Sequence, residues 1–288
     1  MSNYVIFTDS ASDIKPEVLN KWEVPFINLT FRFEGDEKEY SNSEMSADVF
    51  YSKMRNGGIA KTSAINPETF SKAFEEILIK GTDILYLGFS SGLSTTFNSA
   101  KIAAQELLEK YPEREILCVD TLAASAGQGM LVYLAVEKKN SGASIEETAE
   151  YIEGIKLKLC HWFTVDDLVY LKRGGRISPT LAFVGNLLGI KPVLHVDNEG
   201  HLVNMFKVRG RKASIAALAE KFGELASDKK NGTVYISNGD CLNDVKLLEE
   251  TLKNNYGAKV DIVTDVGPVI GAHSGPGTLA LFFVGEER

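Results

Sequence analysis

Residues 83–111 read DILYLGFSSGLSTTFNSAKIAAQELLEKY, and this stretch decides the fold. Residues 83–89 form a compact apolar run typical of a buried strand, and residues 93–111 have the length and pattern of a helix. The same pair follows at residues 115–119 and 123–139. Because strands that alternate with helices of this length form parallel sheets covered on both faces, we expect a parallel α/β arrangement.

The chain before this stretch shows the same alternation. Residues 5–7 and 24–33 predict strands, and Pro16 predicts the first position of a helix. Two further helices are predicted over residues 46–56 and 67–80. The first half of the chain therefore predicts a Rossmann-like domain built on a parallel sheet.

The second half has a different pattern. Ser144 and Glu147 predict a capping box at the start of a helix over residues 144–159. A β-hairpin is predicted around Asn198-Glu199-Gly200. Candidate strands lie at residues 163–165, 193–196, 201–208, 233–237, 259–263 and 278–284. We predict a two-domain α/β protein, with the parallel-sheet domain over residues 1–158 and an α+β domain with a mixed or antiparallel sheet over residues 159–288.

The composition narrows the class of partner. The 288 residues include 31 Lys and Arg against 39 Asp and Glu, so a net charge of −8 disfavours nucleic acid as a partner. No apolar run is long enough for stable membrane insertion, and the N-terminus shows no secretory signal, so we expect a cytoplasmic protein. The three cysteines are widely spaced, which predicts neither a disulfide framework nor a metal site. The first turn after residues 5–7 contains no glycine, so no nucleotide cofactor is expected there.

A serine hydrolase is one interpretation of Gly88-Phe-Ser-Ser-Gly92. This G-x-S-x-G pattern follows an apolar strand and precedes a helix, as a nucleophile elbow does, which makes Ser90 the candidate nucleophile. Asp265 and His273 follow in the order that an α/β hydrolase requires. Glycine and serine are also common turn and helix-capping residues, so the pattern has a structural explanation too.

Hydroxyl side chains cluster before two of the predicted helices. One cluster comprises Ser90, Ser91, Ser94, Thr95 and Thr96, and plain capping accounts for only one of these hydroxyls. The other lies in the stretch Lys61-Thr-Ser-Ala-Ile-Asn-Pro67, just before the next helix. We expect both clusters at the carboxyl edge of the parallel sheet, where hydroxyls and free helix amides form an anion site without a fixed positive charge. Such a site suits a carboxylate.

Two glycine-containing segments in the second half carry further candidate residues. Residues 167–178 place three cations around Gly174-Gly175, which predicts a glycine-capped helix end or arginines held outward. Apolar residues then follow in excess of one helix stripe, and their simplest interpretation is core: Leu181, Phe183, Val184, Leu187, Leu188, Ile190 and Val193. Residues 267–277 predict a rigid glycine-rich loop that carries His273, whereas His161, His195 and His201 show no evident ligand partners.

Together these segments resemble the DegV family of bacterial fatty-acid-binding proteins. The resemblance rests on Thr8-Asp-Ser10, Lys61-Thr-Ser63, Ser91-Gly-Leu-Ser94, LVYLKRGGRIS at 168–178, KVRGRK at 207–212 and IGAHSGPG at 270–277. It covers essentially the whole chain in order, and the LVYLKRGGRIS segment is its most specific part. One departure is Thr95, where relatives commonly have glycine, and a β-branched residue there could narrow the carboxylate site.

The resemblance implies a non-enzymatic carrier that holds a long-chain fatty acid, such as palmitate or oleate, between its two domains. It implies that Thr62 and Ser94 bind the carboxylate, with Thr95, Ser63, Ser91 and His273 close by. It also implies that the protein presents the acid to a fatty acid kinase for acyl-phosphate formation in phospholipid synthesis. In that role, outward-pointing Arg173, Arg176 and Arg209 would dock the kinase or hold the phosphate.

Overall fold

A computed structural model describes residues 3–177 and 189–288 of the chain. The predicted apolar stretch at Leu181, Phe183, Val184, Leu187 and Leu188 lies outside the described residues, as does Ser178. Ile190 and Val193 belong to a strand of the second half.

The stretch that begins at Asp83 forms the centre of a four-stranded parallel sheet. Its strands, in the order β2-β1-β6-β7, are β1 (Tyr4–Asp9), β2 (Phe26–Ile27), β6 (Asp83–Gly88) and β7 (Ile116–Asp120). Every residue of β6 is buried, and β6 pairs in parallel with both β1 and β7. The parallel sheet predicted from the alternating pattern is confirmed.

The helices up to residue 158 lie in the predicted places, with differences at their starts. They are α1 (Pro16–Lys21), α2 (Ala47–Arg55), α3 (Pro67–Leu78), α4 (Thr96–Lys110), α5 (Ala126–Asn140) and α6 (Ile145–Ile155), and α6 has the predicted Ser144/Glu147 capping box. Helix α4 begins three residues later than predicted, because the backbone amides of Leu93 and Ser94 both donate to the Ser90 carbonyl in a turn. Ser90, Ser91, Ser94 and Thr95 therefore precede the helix, and Thr96 is its first residue.

A small antiparallel sheet in the first half was not predicted. It contains β3 (Thr30–Phe33), β4 (Tyr40–Ser41) and β5 (Ala60–Ser63), in the order β4-β3-β5. The single strand predicted over residues 24–33 is wrong, because the backbone between β2 and β3 bonds elsewhere: the Leu29 amide donates to Ser10 Oγ and its carbonyl accepts from the Asn42 amide. Thr62 and Ser63 therefore lie on β5 of this small sheet. The expectation that they follow a strand of the parallel sheet is wrong.

The second half contains a six-stranded mixed sheet. Its strands, in the order β10-β9-β8-β13-β11-β12, are β8 (Leu159–Thr164), β9 (Ile190–Val196), β10 (Leu202–Arg209), β11 (Val234–Asn238), β12 (Ile262–Asp265) and β13 (Leu279–Val284). Only the β11–β12 pair is parallel, and β9 and β10 form the predicted hairpin. The described helices of this half are α7 (Val169–Arg173), α8 (Arg211–Leu225), α9 (Leu242–Tyr256) and α10 (Pro268–Ser274). The boundary near residue 158 stays a prediction.

Helix α5 lies between the two large sheets. It contacts β1 and β6 of the parallel sheet and β8, β11 and β13 of the mixed sheet. Gly127 in its first turn permits this approach, because a Cβ there would lie 2.5 Å from His161 Nε2 on β8. One hydrophobic core consequently contains residues of both sheets, among them Leu85 and Phe282. Among the described helices, none combines the length and apolar character needed to cross a membrane.

Candidate functional site

A cavity of about 370 Å³ lies between the first half of the chain and the mixed sheet. This volume is in the range of small-molecule binding sites. Its apolar wall includes Leu29, Phe89, Phe163, Leu171, Val269 and Phe282. Among the predicted site residues, those that line the cavity are Thr62, Ser63, Ser91, Ser94, Thr95, Arg176 and His273. We call the group Thr62, Ser94, Thr95, Arg176 and His273 the hydroxyl end of the cavity.

Thr62 and His273 meet across 211 residues of sequence. Thr62 Oγ1 on β5 lies 2.8 Å from His273 Nε2. His273 belongs to α10, so the rigid loop predicted over residues 267–277 is wrong over most of its length. Pro268 occupies the first helical position, where its missing N–H costs nothing, and glycines flank the helix on both sides. The glycines and proline that predicted a loop therefore mark the two ends of a short helix.

The surroundings of the half-buried His273 side chain determine which atom donates in this pair. Desolvation, followed by the charge of Arg176, lowers the pKa of His273 to about 4, so the imidazole is neutral at pH 7. Its Nδ1 is buried, has no hydrogen-bond partner among the described residues, and packs against Gly174, where a Cβ would lie 2.1 Å away. A hydrogen on Nδ1 would be buried without an acceptor, so Nε2 carries the hydrogen and donates to Thr62. The Thr62 hydroxyl hydrogen is then free to bind a ligand.

Ser94 and Thr95 stand at the N-terminus of α4. Thr95 occupies the cap position in ordinary helical geometry (φ −76°), and its side chain makes no capping hydrogen bond. The partial positive charge of a 15-residue helix therefore faces the hydroxyl end and favours an anion. Ser94 Oγ lies 2.9 Å from Thr96 Oγ1 and accepts the Thr96 amide at 3.2 Å.

Arg176 adds a positive charge that sequence analysis had excluded from the site. Its guanidinium does not point outward: Nε donates to the Leu93 carbonyl at 3.0 Å and Nη1 donates to the Gly174 carbonyl at 2.6 Å. The side chain is half-buried, and desolvation lowers its pKa from the ordinary value. The expected anion site without a fixed charge is therefore wrong, because a guanidinium lines the same cavity as Thr62 and Ser94.

The other predicted site residues differ in how free they are to bind. The Ser63 hydroxyl already donates to Glu39 Oε1 at 2.8 Å, which uses its only hydrogen. Ser91 is exposed at the cavity edge, and its amide donates to the Asp120 carboxylate at 3.3 Å. Arg173, at the end of α7, and Arg209, at the end of β10, are both exposed and do not line the cavity.

The position of Ser90 does not support the hydrolase interpretation. Its side chain is fully buried, does not line the cavity, and donates to the Gly200 carbonyl at 2.9 Å. His273 Nε2 is bonded to Thr62 and provides no base for this serine. Ser90 is also absent from the described non-glycine residues with positive φ, the conformation that a strained elbow adopts. Instead, the Ser90 hydrogen bond connects the turn of the β9–β10 hairpin to the loop before α4.

A second polar group beside the cavity was missed by sequence analysis. Ser125 Oγ donates to Asp13 Oδ2 at 2.5 Å and lies 3.0 Å from Ser237 Oγ, while the Gly267 amide donates to Asp13 Oδ1. We call Asp13, Ser125, Ser237 and Gly267 the inter-sheet cluster, because it joins the first half to β11 and to the start of α10. Ser125 and Ser237 line the cavity, as does His161. No sequence pattern connects residues so far apart.

The described residues contain no group of three or more His, Cys, Asp or Glu side chains suited to a metal ion.

Proteins similar to this chain are known from several bacteria. A DegV domain-containing protein of Clostridium perfringens is 44% identical over 100% of this chain and 99% of its own length. A protein of Thermotoga maritima named fatty acid-binding protein is 34% identical over 98% of both chains.

Solved structures of similar proteins share the whole fold. A DegV family protein of Thermus thermophilus, described by its fatty acid binding, superposes with a TM-score of 0.88 at 32% identity, over 98% of this chain and 99% of that one. A stearic acid-binding protein of Eubacterium ventriosum also has a TM-score of 0.88, at 26% identity over 98% of both chains. The family model described as "Uncharacterised protein, DegV family" matches residues 3–286. This chain belongs to the DegV family.

Proposed function

We propose that this protein binds a long-chain fatty acid, such as palmitate or oleate, between a domain of residues 1–158 and a domain of residues 159–288. The carboxylate lies at the hydroxyl end, where Thr62 and Ser94 donate to it and Arg176 offsets its charge. The alkyl chain lies along the apolar wall formed by residues such as Phe163 and Phe282. One observation carries the proposal: the hydroxyls of Thr62 and Ser94 and the guanidinium of Arg176 line one cavity whose wall is largely apolar.

The energetics favour a ligand with a long hydrocarbon chain. Each buried methylene contributes roughly 0.8 kcal/mol, so about fifteen methylenes contribute on the order of 12 kcal/mol before the costs of ordering. Most of the affinity would then come from the chain. The hydroxyl end would determine which end of the ligand enters it and would select an acidic head group.

The proposed role is that of a carrier without catalytic residues. Ser90 is engaged with Gly200, and His273 is engaged with Thr62, so the described residues offer no serine–histidine pair. Similar proteins from Thermus thermophilus and Eubacterium ventriosum are described by their fatty acid binding and stearic acid binding, which supports the same role here.

Mass spectrometry of the purified protein tests the binding proposal. Under gentle denaturation the protein should release one long-chain acid per chain, and the delipidated protein should take up added palmitate at the same ratio. A protein that releases no acid and does not take up palmitate or oleate after delipidation would refute the proposal.

We further propose that the bound acid is presented to a fatty acid kinase, through Arg173 and Arg209. Both side chains are exposed and outside the cavity, which leaves them free to contact a partner or a new phosphate. Arg173→Ala and Arg209→Ala should retain palmitate but lose its phosphorylation by a purified fatty acid kinase. Arg55→Ala, at another exposed arginine, is the control. Normal phosphorylation in both test variants would overturn this assignment.

A further inference from the structure

Thr96 connects the two hydroxyl segments of the cavity. It is the first residue of α4 and is fully buried. Its Oγ1 accepts the Ile65 amide at 3.4 Å, just beyond the β5 strand that carries Thr62, and lies 2.9 Å from Ser94 Oγ. Its own amide donates to Ser94 Oγ at 3.2 Å. A single buried side chain therefore contacts both segments from which the proposed carboxylate ligands come.

Burial determines the direction of the Ser94–Thr96 hydrogen bond. Each hydroxyl has one hydrogen to donate. If Ser94 donated to Thr96, the Thr96 hydrogen would be buried without an acceptor among the described residues, which is costly. If Thr96 donates to Ser94, the buried Thr96 hydroxyl both donates and accepts a hydrogen bond, and the Ser94 hydrogen is left at the cavity surface. The second arrangement is therefore favoured.

We propose that Thr96 is a positioning residue that makes Ser94 a hydrogen-bond donor to the bound carboxylate. It acts on Ser94 as His273 acts on Thr62: in both pairs a neighbouring side chain donates to the hydroxyl and leaves its hydrogen facing the ligand. This inference rests on the proposed fatty-acid function.

Thr96→Val removes the hydroxyl at nearly constant shape, and Thr96→Ser retains it. Palmitate and hexadecanol share one alkyl chain, but only palmitate has a carboxylate. We expect Thr96→Val to weaken palmitate binding about tenfold and to change hexadecanol binding less than about twofold, because a lost charge-assisted hydrogen bond affects only the anion. Thr96→Ser should bind palmitate within about twofold of the unchanged protein. In a Ser94→Ala background, Thr96→Val should have almost no further effect on palmitate binding.

Each alternative outcome has a distinct meaning. Equal palmitate binding by Thr96→Val and the unchanged protein would overturn the inference and leave the fatty-acid function intact. Equal losses for palmitate and hexadecanol, or a loss in Thr96→Ser that matches the loss in Thr96→Val, would indicate a purely structural role and would also overturn it. Failure of the unchanged protein to bind palmitate would refute the proposed function itself. If Thr96→Val does not fold, Thr96→Cys gives a weak donor of similar size, and palmitate binding as tight as in the unchanged protein would contradict the inference.

Discussion

The hydroxyl end and the inter-sheet cluster are both polar, and both adjoin the same cavity. They flank α10, whose start carries Gly267 and whose end carries His273, roughly 9 Å apart along the helix axis. At the hydroxyl end, His273 donates to Thr62 and leaves the Thr62 hydrogen free. In the inter-sheet cluster, Ser125 uses its hydrogen on Asp13 and lies 3.0 Å from Ser237 Oγ. A candidate ligand site therefore differs from a polar contact that only joins two parts of the protein. Its hydroxyls keep hydrogens that no protein group accepts.

Burial shifts the pKa of one titrating group in each region, and the two resulting pKa values differ. Desolvation raises the pKa of Asp13 to about 7, with smaller contributions from the charges of Asp265 and Asp9. Desolvation lowers the pKa of His273 to about 4. Both shifts favour the neutral form, as burial in a low dielectric does. The inter-sheet cluster therefore titrates near neutral pH, whereas the hydroxyl end does not.

The largest expected effect concerns the inter-sheet cluster and the dependence of stability on pH. Between pH 3.8 and about 7, folded Asp13 retains a proton that the unfolded chain releases, so its contribution to the free energy of unfolding declines as pH rises. Asp13→Asn abolishes this titration. The new amide can donate to Ser125 Oγ, which can then donate to Ser237. We expect the variant to gain on the order of 2–4 kcal/mol relative to the unchanged protein between pH 4.5 and pH 8.

Urea denaturation at several pH values measures this difference. Asp48→Ala is the control, because Asp48 is exposed in the first turn of α2, where solvent screens its charge. Parallel pH profiles for Asp13→Asn and the unchanged protein would show that Asp13 does not titrate in this range.

The next effect concerns the hydroxyl end and should appear in binding rather than stability. Thr62→Val removes a donor to the carboxylate, so palmitate affinity should fall by about 1–3 kcal/mol, or roughly 5–150-fold. Ser63→Ala is a matched control on the same strand, because the Ser63 hydroxyl is already used by Glu39. Titration calorimetry measures both variants. A greater loss for Ser63→Ala than for Thr62→Val would reverse the assignment of the two hydroxyls.

A smaller effect is expected where Gly174 supports His273. The backbone of Gly174 (φ −72°) is compatible with alanine, but a Cβ would lie 2.1 Å from His273 Nδ1 and would displace the ring from Thr62. Gly174→Ala should weaken palmitate binding by about 1 kcal/mol, the usual worth of one hydrogen bond. Gly154→Ala is the control in α6, where the new Cβ meets no atom within 4 Å. Fluorescence titration that finds the two variants equal would show that His273 does not position Thr62.

The smallest expected effect is the pH dependence of binding. Because the pKa of His273 is lowered to about 4, its imidazole stays neutral above pH 5.5 and its hydrogen bond to Thr62 does not change. In the Asp13→Asn variant, which lacks the titration of Asp13 beside the same cavity, palmitate affinity should therefore vary less than about twofold between pH 6 and pH 8, as measured by equilibrium dialysis with palmitate below its aggregation limit. An affinity that follows an ionisation near pH 6.5 would contradict the neutral state of His273.

Local sequence patterns predicted the parts of the molecule that local physics determines. The apolar strand at residues 83–88 and the Ser144/Glu147 capping box are examples, since burial and capping act over a few residues. The hydroxyls Thr62 and Ser94 were identified through their clusters and the family resemblance. Their convergence in one cavity required the fold.

Contacts between distant segments could not be predicted in this way. In the sequence, Arg176 resembles part of an exposed basic run. Its hydrogen bond to the Leu93 carbonyl could not be predicted, because that bond depends on how the segment after α7 packs against the loop before α4. Asp13 and Ser125 are 112 residues apart, and neither belongs to a recognisable motif. Ser90 matched a nucleophile pattern, but its burial under Gly200 depends on a hairpin 110 residues away.

The most direct test of the account is the crystal structure of the protein with 16-bromohexadecanoate, in which anomalous scattering from bromine locates the far end of the chain. We predict a carboxylate within hydrogen-bond distance of Thr62 Oγ1 and Ser94 Oγ and a bromine among apolar residues of the cavity wall. A carboxylate bound at Ser125 and Ser237, or a bromine beside Thr62, would contradict the proposed orientation and the distinction drawn between the two polar regions.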